Sequence, residues 1–547
     1  MINLPYEPLE KGPEGALLKV EDTKPVLDLE GRSVLIESGV TPSVTDPRFR
    51  AQMTYGVCSA VYAAFRAALG RSVAWGFDSG DDSVGPLKLI IRPVAFNGQN
   101  AYYQKQDGTV NFGYYTADKG QTIGNNLPGG EFYTCLSHDI VAHEMTHALL
   151  DGLRANFTIP CGPDVLAFHE AFADLVAILQ KFSYKGVLLT AIREAGPNLS
   201  HSDLLTNLAE QFGQTTSHRS SLRSAIDIPE PGQPPKLYGH ETEPHALGSI
   251  LVSAVFEAFT TVFQRKVQPF LRLATNGSGI LSPGELSTDL VEILSKSASH
   301  LASQFLSILI RSIDYCPPVD IRFGDFLRAM ITADHDLVPD DPYAYREALI
   351  DAFRRRAIFP VNVDSLSEDS LLWRAPRQMI GEITQLNFAN LRFRGDPQNA
   401  AGAKELLRQG RCLGDAICDP SVLHEFGLVS QEQAARLALK VDLPCIHSVR
   451  SSRRIGPDGQ VIFDLVAEVT QSQMVMRNGK CVPFYGGSTI ILGPSGDLRY
   501  VVSKSVLSKS RIDDQVEFIE SDAAKPFWEE TRRGFVARGN TFRLLHT

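Results

Sequence analysis

Cysteine is scarce in this chain. The 547 residues hold eight, at positions 58, 135, 161, 316, 412, 418, 445 and 481, and no two form a CxxC pair. That spacing provides neither a structural zinc knot nor a dithiol redox centre, and the thiols are expected to be reduced. Long apolar runs are missing too, and the opening MINLPYEPLEKGPEG has neither a basic segment nor an apolar one. No secretory signal or membrane partner is therefore expected, and the predicted location is the cytoplasm, with non-classical export left open. Positive charge is also in deficit, 53 Lys and Arg against 63 Asp and Glu, for a net charge of -10. A nucleic-acid partner would need a basic footprint that this balance does not offer.

What remains is an ordinary globular composition, 43% hydrophobic and 21% charged. At about 150 residues per domain the length predicts three or four units. Residues 1–48 read as an extension rich in Pro, Gly and acidic residues. From FRAQMTYGVCSAVYAAFRAALG (49–70) the periodicity is helical, and KLIIRPVAF (88–96) reads as a buried strand, so 49–185 is expected to be a mixed lobe. Helical patterns dominate 186–360, notably HALGSILVSAVFEAFTTVF (245–263) and STDLVEILSKSASHLASQFLSILIRSI (287–313). A polar connector over 361–430 then leads to a β-rich module at 431–547, where QVIFDLVAEVTQ and STIILGPSGDLRYVVSKSV read as antiparallel strands. The fold class is α+β.

One stretch, DIVAHEMTHALLDG (139–152), carries chemistry. Helical geometry puts residues i and i+4 on one face, so His143 and His147 project side by side and Glu144 is offset by about 100°. Two neutral imidazoles suit zinc, and a catalytic zinc takes three protein ligands, leaving a fourth place for water. Glu144 is suited to take the proton of a water whose pKa the metal lowers toward ~7. The third ligand is expected at Glu170 in FHEAFADL, on a helix opened by Gly162, Pro163 and Asp164, where a charge among apolar residues is costly without a cation. Asp174, one turn later, can accept the remaining N–H of a ligating imidazole and fix its tautomer.

With DIVAHEMTHALLDG followed by HEAFADL, the sequence resembles the thermolysin family of zinc metalloendopeptidases, gluzincins whose third ligand is a Glu on the next helix. NAYY (100–103) is similar to the family's substrate-binding edge strand, LRSAIDIP (222–229) to the segment whose Arg grips a substrate carbonyl, and EPHALGSILVSAVFEAF (243–259) to the helix opened by its transition-state histidine. The resemblance covers residues 50 to 360. It implies two lobes with a zinc cleft between them, a single zinc held by His143, His147 and Glu170, Glu144 as general base and His245 as the donor to the oxyanion. A peptide or protein substrate would be bound by Asn100, Ala101 and Arg223, with Val141 lining the pocket for an apolar side chain.

Departures from the family pattern carry further expectations. His169 stands where the family has Asn, and is read as an outer partner of His147 or an additional ligand. The loop NFTIPCGPD has no counterpart of the family's oxyanion Tyr, presenting Phe157 and Cys161 instead. Either Glu241 or Glu243 is expected to orient His245. Where relatives share calcium between the counterpart of Asp139 and a downstream Glu, this chain has Lys181, so an Asp139–Lys181 ion pair is expected and calcium is not. With no prosegment, control is assigned to the C-terminal module acting within the chain. Two rival readings are a gluzincin aminopeptidase, for which no GxMEN-like anchor exists, and a zinc-bearing scaffold whose peptidase has decayed.

Overall fold

The computed structural model describes residues 4–21, 26–78, 87–116, 129–199, 207–208, 223–224, 226, 234–281, 284, 286–393, 401–455, 459–477, 479–539 and 541–545. The extension takes part in the fold. Its strand β1 (Leu18–Val20) pairs in parallel with β2 (Leu89–Asn97), and Leu18, Val20 and Leu27 are buried in the main core, while the short helix α1 (Arg32–Ile36) buries none of its residues. Helix α2 (Pro47–Leu69) starts where Asp46 accepts the N–H of Arg48 ahead of Pro47, and ends at Gly70 in the left-handed conformation, φ 66°. β2 continues in parallel to β4 (Thr109–Thr116), whose other side pairs antiparallel with β3 (Ala101–Gln104) and β5 (Glu131–Tyr133). Among the described residues β3 is bonded on one side only, and helix α3 (His138–Leu153) packs near its open edge.

Helices α3 and α4 (Pro163–Lys181) are buried on nearly every side, which is why their apolar residues recur faster than one amphipathic stripe requires. After α5 (Lys185–Ala195), the two-residue strands β6 (Asn207–Leu208) and β7 (Arg223–Ser224) pair antiparallel. The long helix α6 (Pro244–Ala274) lies on α4 at Gly248, where any Cβ would come 2.9 Å from the Ala167 carbonyl oxygen. That close approach brings the start of α6 toward Glu170. α6 is long and apolar enough to cross a membrane, yet 72% of its most apolar window is buried inside the protein. Helices α7 (Thr288–Ser312), α8 (Phe323–Leu337) and α9 (Tyr345–Arg355) complete the helical part.

The stretch expected as a connector contains helix α10 (Ala403–Ile417), whose Glu405, Gln409, Leu413 and Ile417 form a buried stripe at i, i+4 spacing. Half of that stripe is polar, so its periodicity is hidden from a count of apolar residues. Leu413 and Ile417 share a second core with Val449, Leu465, Ala467 and Ile490 of the C-terminal sheet. That sheet is antiparallel: β8 (Lys440–Val441), β9 (Cys445–Ile455), β10 (Val461–Arg477), β11 (Lys480–Leu492) and β12 (Leu498–Lys504), with β10 paired to β8, β9 and β11. Helix α11 (Lys509–Glu520), the ribbon β13 (Trp528–Glu530) and β14 (Phe535–Ala537), and helix α12 (Thr541–Leu545) follow.

The C-terminal sheet is docked by buried polar contacts. Arg154, at the end of α3, reaches Glu468 of β10 at 3.3 Å and Thr489 of β11 at 2.9 Å, and Arg450 donates to the Leu153 carbonyl at 2.6 Å. Ion pairs Lys504–Asp325 (2.7 Å), Arg499–Asp336 (2.9 Å) and Arg511–Asp320 (2.6 Å) tie the same module to the helical part.

Candidate metal centre

The i, i+4 geometry of α3 turns His143 and His147 toward α4, and there Glu170 meets them. The Nε2 atoms of the two histidines lie 3.0 Å apart; His143 Nε2 is 3.4 Å from Glu170 Oε2 and His147 Nε2 is 3.5 Å from Glu170 Oε1. One donor atom from each residue falls within 4.8 Å of the others, in a site where His147 and Glu170 are wholly buried. Asp174 Oδ1 sits 2.9 Å from His143 Nδ1. A carboxylate only accepts, so Nδ1 carries the proton in that bond and the Nε2 lone pair is turned to the cluster when the ring is neutral. Burial opposes charge on His143, but hydrogen bonds to Asp174 and Glu170 outweigh it and raise its pKa to about 10. His147 is pushed the other way, mainly by burial.

Glu144 is 1% exposed and its Oε2 accepts the N–H of Tyr103 at 3.0 Å. The open edge of β3 and the helix of the two histidines are therefore joined through this carboxylate. Tyr103 reinforces the junction from its other end, donating its hydroxyl to Asp151 at 2.9 Å. Asn100, just before β3, accepts the Ala101 N–H with its own Oδ1 at 2.7 Å, and Ala101 is buried. Val141 is fully buried in the main core.

His245 opens α6 with Nε2 3.0 Å from Glu170 Oε2 and Nδ1 3.0 Å from Glu243 Oε1. Of the two acids offered by the sequence, Glu243 holds the histidine. Glu241 instead turns back on its own loop, accepting the N–H groups of Thr242 at 3.0 Å and Glu243 at 3.2 Å. Glu243 has a second duty that keeps it in place, capping α6 by accepting the N–H groups of His245 and Ala246. The backbone of Arg223 lies in β7, and its side chain falls outside the described residues.

His169 is brought beside His147, ring centroids 5.6 Å apart, but neither of its ring nitrogens has a hydrogen-bond partner among the described residues. The two rings pack side by side, and burial pushes the His169 pKa well below the ordinary histidine range. Phe157 is also wholly buried, its ring edge-on to Phe168 at 5.7 Å.

Lys181 Nζ stands 3.0 Å from Asp139 Oδ2, and His138 Nδ1 lies 3.3 Å from Asp139 Oδ1. Burial alone would raise the Asp139 pKa; His138 and Lys181 together hold it below its ordinary 3.8. Stabilisation from this pairing is present above that pH and disappears as the pH falls through the lower folded value. Lys181→Met is expected to cost about 3 kcal/mol in urea unfolding at neutral pH, since it strands a buried carboxylate. Lys181→Met with Asp139→Asn should recover most of that loss, and added calcium should leave the wild-type midpoint where it is.

The contributions that a linear reading misses are the Tyr103 backbone and Phe542, whose ring lies 4.7 Å from that of His147. Tyr103 closes the NAYY stretch, where nothing marks its backbone N–H for this role, and Phe542 stands in no motif. No protein-family model and no curated protein sequence matches the chain.

Proposed function

We propose that this protein is a zinc-dependent endopeptidase of the thermolysin type, in which Glu144 is the general base. The observation that supports it most strongly is the convergence of His143, His147 and Glu170 within 4.8 Å, with Glu144 on the same helix as two of them. Two imidazoles and one carboxylate are the donor set of a catalytic zinc with an open fourth place, and the Asp174 bond to His143 matches the outer partner such a ligand requires. Bound there, zinc would supply Lewis acidity and lower the pKa of water.

The remaining chemistry belongs to the chain. A peptide would lie as an added strand along β3, beside Asn100 and Ala101. Glu144, held by the Tyr103 N–H, takes the proton from the attacking water and delivers it to the leaving nitrogen. His245, oriented by Glu243, donates to the oxyanion as negative charge grows there, and Arg223 holds a carbonyl further along the peptide. The two-lobed arrangement around a cleft, the apolar preference beyond the cut bond and a cytoplasmic setting belong to the same proposal.

Metal analysis of the purified protein is expected to return about one zinc per chain, lost in His147→Ala. An internally quenched peptide should be cleaved by the zinc-loaded protein. Zinc without cleavage would replace this reading by that of a metal-bearing scaffold, and cleavage confined to amino-terminal residues by that of an aminopeptidase.

A further inference from the structure

Phe542 lies in α12, a helix of the C-terminal module, yet its ring is packed into the surroundings of the metal-ligand helix. Its centroid is 4.7 Å from that of His147, 5.0 Å from His169 and 5.7 Å from Tyr103, and the residue is 5% exposed. The segment is anchored on both elements that flank the site. Toward β3, Gln106 Nε2 donates to the Gly539 carbonyl and the Arg543 guanidinium lies 5.6 Å over the Tyr102 ring. Toward the loop before α4, Trp528 Nε1 donates to the Pro160 carbonyl at 2.8 Å, and Arg538 N–H donates to the Phe527 carbonyl at 2.8 Å, linking that anchor to α12.

The two histidines of the cluster are held differently. His143 is oriented by a directional bond to Asp174. His147 has the rings of Phe542 and His169 packed against it, tilted by 33° and 38°, and His169 is itself without a hydrogen-bond partner among the described residues. Close-packed rings restrict the tilt of an imidazole and limit the access of water to it.

On the reading of His143, His147 and Glu170 as a metal site, we propose that Phe542 is a positioning residue for that site. Its ring holds the His147 imidazole in place and keeps water from it, so that the C-terminal module sets how tightly the metal is retained. The module is thereby a part of the site and more than an appendage to it.

The test uses the full chain and zinc alone, with affinity read by competition against a chromophoric chelator and geometry read from the visible spectrum of the cobalt-substituted protein. Phe542→Ala is expected to bind zinc about 10- to 100-fold more weakly, the range seen when an outer partner of a ligand is lost, with a changed cobalt spectrum. Phe542→Leu, which keeps bulk but no flat face, should fall between it and wild type. Leu465→Ala removes apolar bulk from a buried position in the C-terminal sheet, in a cluster that contains no residue of α3, α4 or α12, and should leave both readouts unchanged. Wild-type affinity and spectrum in Phe542→Ala, or equal losses in Phe542→Ala and Leu465→Ala, would overturn the proposal. Should Phe542→Ala fail to fold, Phe542→Leu decides, and its identity with wild type in both readouts is equally fatal. A wild-type protein that takes up no zinc sinks the metal-site reading itself; tight wild-type binding with no effect at Phe542 sinks this inference alone.

Discussion

Glu144→Gln is expected to lower kcat for an internally quenched peptide about 10³-fold while the protein still holds its zinc. The separation of the two effects is the point of the experiment. Glu144 is not among the three converging donors, so metal binding at that cluster is not expected to depend on it. Its carboxylate accepts the Tyr103 N–H at 3.0 Å, and the glutamine oxygen can accept the same bond, so β3 and α3 should remain joined. What glutamine cannot do is take a proton at neutral pH. Kinetics, a zinc assay and circular dichroism on the same preparation test this. Unchanged kcat in a zinc-loaded variant would remove Glu144 from the chemistry, and loss of zinc would place it in the metal shell.

Arg154→Met is expected to destabilise the protein by about 3–5 kcal/mol, because it leaves Glu468 buried without its cation. Arg154 is 1% exposed, donates from Nε to the Ile313 carbonyl at 3.0 Å and from Nη1 to Thr489 and Glu468, and so joins α3, the residues after α7 and the C-terminal sheet. Its place at the C-terminal end of α3 adds a favourable interaction with the helix dipole. Urea unfolding followed by far-UV circular dichroism gives the difference. Pairing Arg154→Met with Glu468→Met should restore much of the stability, since neither charge then stays buried alone. An unchanged midpoint in the single variant would show that the pair does not hold the sheet to the metal helix.

Most of the candidate site was legible because it is local or helical. The i, i+4 spacing puts His143 and His147 on one face whatever the rest of the chain does, and the same arithmetic places Asp174 one turn beyond Glu170. The approach of Lys181 to Asp139 was anticipated only through the family resemblance, from the place where relatives share calcium. The choice of Glu243 over Glu241 was not legible. Both acids precede His245 by a few residues, and only the capped start of α6 shows which carboxylate faces the ring. His169 lies beside His147, and only the structure shows that the contact is one of rings and that Phe542 fills the space beside it.

By itself the sequence determined the helix that sets His143 and His147 side by side, the acid expected beside them on the next helix, and the alternation of helical and antiparallel β regions. These follow from backbone periodicity, which acts over a few residues and is written in their order. Only the tertiary structure decided that Tyr103 N–H holds Glu144, that Glu243 holds His245, that a half-polar stripe on α10 closes the second core, and that Phe542 and Arg154 bind the C-terminal module to the metal helix. Those contacts join segments far apart in the chain, and their partners are selected by packing in three dimensions, which leaves no periodic mark on either segment.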